Sequence, residues 1–182
     1  PEHKIEEISE NIDLVYAMAL EKYDASQISF IGDSVGGTLI TSLTQRLIQK
    51  GVNLPIKIIL ICPVMDASMT NSKIEEVDKT DPMLSKKGVL SAKKMCVGNG
   101  DLNNMMISPI NGSFKGFPKT IFFIAERDIT YPDQEIVIKK MTDSNVNVEV
   151  VFGKNMPHIW PFLPVMKEAK TALNRIIVKL NC

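Results

Sequence analysis

Three residues far apart in the chain have side chains that together could carry out nucleophilic chemistry. Ser34 lies in Gly32-Asp33-Ser34-Val35-Gly36-Gly37, a small-residue turn. A serine hydroxyl is a weak nucleophile until a base takes its proton and a carboxylate orients that base. The chain has two histidines, His3 and His158, so candidates for the base are few. His158 lies in Asn155-Met156-Pro157-His158-Ile159-Trp160, while His3 precedes the first helix and is expected at the surface. Packing beneath Trp160 is the non-chemical alternative for His158. For the acid, Asp128 stands in Ala125-Glu126-Arg127-Asp128-Ile129-Thr130-Tyr131-Pro132-Asp133, with Glu126 and Asp133 as competitors. Asp133 is better read as capping the following helix. Arg127 would favour an ionised neighbour, although such a pair is as often structural.

These residues need elements to position them. Periodicity predicts helices over 5–22, 35–50, 85–96, 133–143 and 164–180. Their expected inward residues are Ile5, Ile8, Ile12, Val15 and Ala19 in the first helix and Leu39, Leu43, Leu47 and Ile48 in the second. In the last helix they are Val165, Ala169, Leu173, Ile176 and Leu180. Strands are expected at 27–32, 56–62, 119–125 and 146–152, with Pro63 closing the second and Gly51 ending the helix before it. Strands alternating with helices imply a mostly parallel sheet with right-handed crossovers. Each candidate then follows a strand, at the carboxyl edge where open α/β sheets collect their chemistry.

Gly-x-Ser-x-Gly between a strand and a helix is the sequence form of a nucleophile elbow. The serine takes a strained backbone conformation. Gly32 and Gly36 are expected to relieve crowding, and Gly37 to let the helix pack closely. The backbone N–H of Val35, at the helix N-terminus, is the expected donor to a developing oxyanion. A Gly-rich turn without chemistry is the alternative. A phosphate-binding loop is disfavoured, because Gly-x-Gly-x-x-Gly and Gly-Lys-Ser/Thr are both absent.

Composition narrows the class. The 182 residues carry 21 Lys plus Arg and 21 Asp plus Glu, so no field of one sign would draw nucleic acid. No run approaches a membrane span, and no signal-peptide core follows Pro1. Cys62, Cys96 and Cys182 are widely separated and odd in number. That argues against a disulfide framework and against a zinc site, and suits a reducing, cytoplasmic setting.

The order Ser34, Asp128, His158 is the serine–acid–histidine order of α/β-hydrolases. The chain resembles the hormone-sensitive-lipase-like esterases of that fold in several stretches: Pro1-Glu2-His3, Gly32-Asp33-Ser34-Val35-Gly36-Gly37, Asp81-Pro82-Met83-Leu84-Ser85, Ser108-Pro109-Ile110, Asp128-Ile129 with Asp133, and Met156-Pro157-His158. The resemblance implies the C-terminal part of an α/β-hydrolase fold, a three-layer sandwich forming one domain over 1–182. The irregular segment 66–118 is expected to line the substrate pocket. It implies hydrolysis of short to medium acyl esters through an acyl-enzyme, with Ser34 as nucleophile, His158 as base and Asp128 as its orienting acid, and no metal or cofactor. The family's His-Gly-Gly-Gly oxyanion loop lies upstream of Pro-Glu-His. A chain starting at Pro1 is therefore expected to be a weakly active fragment with an exposed sheet edge open to self-association. A non-catalytic binding module and a thioester or acyl-transfer enzyme are the alternatives.

Overall fold

The computed structural model describes residues 2–181, so Pro1 and Cys182, both used in the sequence reading, lie outside the described residues. Four strands form one parallel sheet in the order β1-β2-β3-β4: β1 is Ser29–Asp33, β2 Lys57–Ile61, β3 Lys119–Arg127 and β4 Val148–Pro157. Six α-helices accompany it among the described residues: α1 Ile5–Leu20, α2 Val35–Lys50, α3 Ile74–Val77, α4 Lys86–Val97, α5 Tyr131–Asp143 and α6 Lys167–Asn181. The short α3 has no counterpart in the periodicity, since four residues are too few to show one.

The layers follow from strand alternation. On one sheet face Ile58, Leu60, Phe122 and Ile124 pack with Val137 and Met141 of α5 and with Ile40 and Ile48 of α2. On the other, Ile59, Ile61, Ile121, Phe123 and Ala125 meet Ala172 and Ile176 of α6. Helices thus cover both faces, giving a three-layer α/β sandwich. All of β2 is buried, which is why it reads as a continuous apolar run. Removing a side chain such as Phe123 would cost about 3–5 kcal/mol through lost burial and the cavity left behind. Gly51 ends α2 at φ 65°, with the Val52 N–H bonded back to the Leu47 carbonyl.

Two helix faces differ from the sequence expectation. In α1 the buried residues are Ile5, Ser9 and Tyr16, whereas Val15 is exposed. The helix leans on α2, where Tyr16 joins Leu43 and Leu47 and Arg46 of α2 bonds Asp13. This turns the buried stripe by one residue. In the C-terminal segment Val165 precedes α6 and is 92% exposed, and Leu173 and Leu180 are exposed as well. The buried stripe is Ala169, Ala172 and Ile176, because small residues let the helix approach the sheet. Apolar residues on either side of that stripe were indistinguishable from it by periodicity. β1 pairs only with β2 among the described residues and stands at one sheet edge, with Ile31 exposed.

Candidate active site

The site is assembled at the carboxyl ends of β1, β3 and β4. Ser34 sits between β1 and α2 at φ 48°, ψ −118°, a conformation that costs about 1–3 kcal/mol and must be held by its surroundings. The hold comes from the backbone: the Ser34 N–H donates to the Ile61 carbonyl at 2.9 Å, and the Ser34 carbonyl accepts from Gly37, Thr38 and Val64. The Thr38 hydroxyl donates to the Val64 carbonyl at 2.5 Å, fastening α2 to the loop after β2. A Cβ on Gly32 would lie 2.6 Å from the Gly36 backbone, and one on Gly37 would lie 2.5 Å from the Pro63 Cβ. Gly36 differs from expectation: a Cβ there would meet only an Asp33 carboxylate oxygen, at 3.9 Å. The crowding at this turn therefore falls on residues 32 and 37. Val35 is the first residue of α2, so its N–H is among the donors a helix cannot satisfy internally.

Asp128 and His158 are brought together by the β3–β4 register. Ala125 pairs with Gly153, but Arg127 pairs with Pro157, so β4 gains two residues over β3 at an irregularity. Asp128 and His158 are the first residues beyond each strand. One carboxylate oxygen of Asp128 lies 2.8 Å from His158 Nδ1, and both side chains are buried. The other oxygen accepts from the Thr130 N–H at 2.9 Å and the Thr130 hydroxyl at 2.7 Å. Gln134 then donates to the Thr130 hydroxyl at 2.7 Å and to the Pro63 carbonyl at 3.1 Å. A buried carboxyl group with both oxygens hydrogen-bonded has a fixed orientation and fixes the ring of the histidine beside it. Trp160 does not sequester His158 from Asp128; its indole N–H donates to the Ile124 carbonyl. Ser34, half-buried, has no side-chain hydrogen bond among the described residues. Bonds of this kind are often long until substrate binds.

The competing residues have other work. Glu126 accepts from the Asn155 N–H at 2.7 Å. Arg127 donates to the Thr80 carbonyl and forms no ion pair with Asp128 among the described residues. Asp133 does not cap α5, whose N-cap is Thr130. It lies buried in the first turn, where it accepts from Asn71 at 2.8 Å. Burial pushes its carboxyl up to about 6, with the nearby Asp66 charge adding and the Asn71 bond opposing. His3 is exposed and bonded to Glu7. Asp81, not singled out from the sequence as an individual side chain, accepts from the Ile129 N–H and from Met83 and Leu84, tying segment 66–118 to the Asp128 loop. An Asp-Pro pair is the sequence signal for such a turn.

One group of potential metal ligands occurs among the described residues: Cys62, Asp128 and His158, with ligand atoms within 4.8 Å of one another. The Asp128 and His158 atoms are already bonded to each other. No described helix is long and apolar enough to cross a membrane.

Known proteins share this architecture. An esterase of Acinetobacter venetianus is 26% identical over 95% of this chain and 58% of its own length, and the esterase LipU of Mycobacterium tuberculosis is 23% identical over 76% and 46%. The crystal structure of an esterase from the bacterial hormone-sensitive lipase family superposes with a TM-score of 0.93 at 25% identity, covering 99% of this chain and 61% of that one. The chain therefore spans less than two thirds of the length of these relatives. The family model of the alpha/beta hydrolase fold matches residues 1–162, and the chain belongs to that family.

Proposed function

We propose that the protein is a serine carboxylic ester hydrolase in which Ser34, His158 and Asp128 act as nucleophile, base and orienting acid. The observation that carries this reading is the buried Asp128–His158 pair at 2.8 Å on the same sheet edge as the strained Ser34. His158 Nε2 would take the Ser34 proton as Oγ attacks the ester carbonyl. The same proton then passes to the leaving alcohol as the acyl–oxygen bond breaks. Water, deprotonated by His158, would release the acid and restore Ser34. The Val35 N–H, at the positive end of α2, would stabilise the oxyanion. Segment 66–118 would line the pocket for short to medium acyl chains, in a cytoplasmic protein. The exposed β1 edge would favour self-association, read by light scattering.

The test is hydrolysis of short p-nitrophenyl esters by this chain, by an upstream-extended version, and by Ser34→Ala in each. The reading requires Ser34-dependent turnover in the extended protein. Full activity in Ser34→Ala, or an inactive extended protein, overturns it.

A further inference from the structure

Cys62 is a buried nucleophilic side chain that the catalytic assignment leaves unused. Cys62 is the first residue beyond β2, fully buried, with its N–H bonded to the Phe123 carbonyl at 2.8 Å. Its backbone stands at φ 45°, a left-handed conformation that is uncommon for a residue bearing a Cβ. That conformation faces the thiol toward the Asp128–His158 pair: sulfur, carboxylate oxygen and imidazole nitrogen all lie within 4.8 Å of one another. The Asp128 carboxylate and the backbone at Ile159 and Trp160, the two residues that follow His158, are the polar groups that act on the thiol.

We propose that Cys62 is a positioning residue, whose S–H donates to the Asp128 carboxylate while its sulfur accepts from the Ile159 and Trp160 N–H groups, locking the histidine loop to the acid.

Three observations converge on this role. Asp128 has Thr130 on one oxygen and His158 on the other, and a thiol beside it would supply a further donor to that carboxylate. Ile159 is itself at φ 48°, a strained conformation for a β-branched residue, and needs an outside contact to hold it. Burial, reinforced by the Asp128 charge, pushes the Cys62 thiol well up, so the proton stays on sulfur and the group serves as a donor. A thiol suits this place because its long C–S bond and diffuse acceptor sulfur reach both partners from one small side chain.

The inference rests on the catalytic reading of His158, but its test does not require turnover. In the 15N-labelled chain, the ring N–H that His158 directs at Asp128 is shielded from water, whereas His3 is exposed and exchanges freely. The His158 Nδ1 proton resonance should therefore be resolved far downfield. Cys62→Ala should move that resonance and speed its exchange with water several-fold, and Cys62→Ser, which keeps a donor at the same backbone geometry, should restore both. Should Cys62→Ala not fold, Cys62→Gly removes the thiol while relaxing the positive φ, and is read the same way. In the upstream-extended protein, Cys62→Ala should lower kcat on the order of tenfold at unchanged KM. An unaltered His158 resonance in a folded Cys62→Ala chain overturns the proposal. If the resonance responds as expected while the extended protein hydrolyses no ester, the positioning role stands and the ester reading fails.

Discussion

The Asp128 carboxylate approaches His158 Nδ1 at 2.8 Å while its second oxygen is occupied by Thr130, so the acid has a single orientation and presents one oxygen to the ring. In the proposed mechanism this leaves Nε2 to take the Ser34 proton. Asp128→Asn preserves the shape but offers an amide that favours the other tautomer. In the upstream-extended protein it should lower kcat by about 10⁴-fold with KM little changed. Steady-state kinetics on a short ester check this.

The turn around Ser34 predicts opposite outcomes for neighbouring glycines. Gly32→Ala pushes a Cβ into the backbone at Gly36, which cannot yield without moving α2. It should cost more than about 2 kcal/mol in denaturant unfolding. Gly36→Ala places its methyl 3.9 Å from an Asp33 oxygen, ordinary contact distance, within a helix. It should be neutral or stabilising by up to about 1 kcal/mol.

Asp133 links pH to stability. Its folded carboxyl titrates at about 6 against an ordinary 3.8, so between those values the folded chain holds the proton more tightly. Its stabilising contribution is complete below about 4 and is lost as pH rises through 6. Asp133→Asn, which can keep an acceptor for Asn71, should therefore be more stable than the parent at pH 8 by roughly 1–2 kcal/mol. The difference should vanish near pH 4 in paired denaturation curves.

Lys93 carries the opposite sign. Its amine is buried on α4 without a hydrogen-bond partner among the described residues, and burial lowers its titration to about 8 from 10.5. The unfolded chain binds this proton more tightly, so stability rises with pH between 8 and 10.5. Lys93→Met should stabilise the chain at pH 7 by about 2 kcal/mol, and the gain should shrink toward pH 10.

The order of elements and the placement of Ser34, Asp128 and His158 just beyond strand ends were legible because each depends on local pattern. The strand–turn–helix at Ser34, the scarcity of histidines and the apolar run of β2 need no knowledge of distant contacts. The rotation of α1 toward Tyr16 and the exposure of Val165, Leu173 and Leu180 depend on which neighbour each helix meets. Apolar spacing alone does not say that. Asp133 and Arg127 illustrate the same limit: both were placed by sequence proximity, yet their partners are Asn71 and Thr80, more than forty residues away. The role inferred for Cys62 was equally hidden, since it arises from a loop conformation and from a two-residue irregularity in the β3–β4 register.

Activation of Ser34 by His158 is tested by treating the upstream-extended protein with a p-nitrophenyl alkylphosphonate, followed by peptide mass spectrometry. One phosphonyl group is expected on Ser34, with labelling abolished by Ser34→Ala and strongly slowed by His158→Gln. No adduct on Ser34, or labelling that proceeds equally without His158, would contradict it.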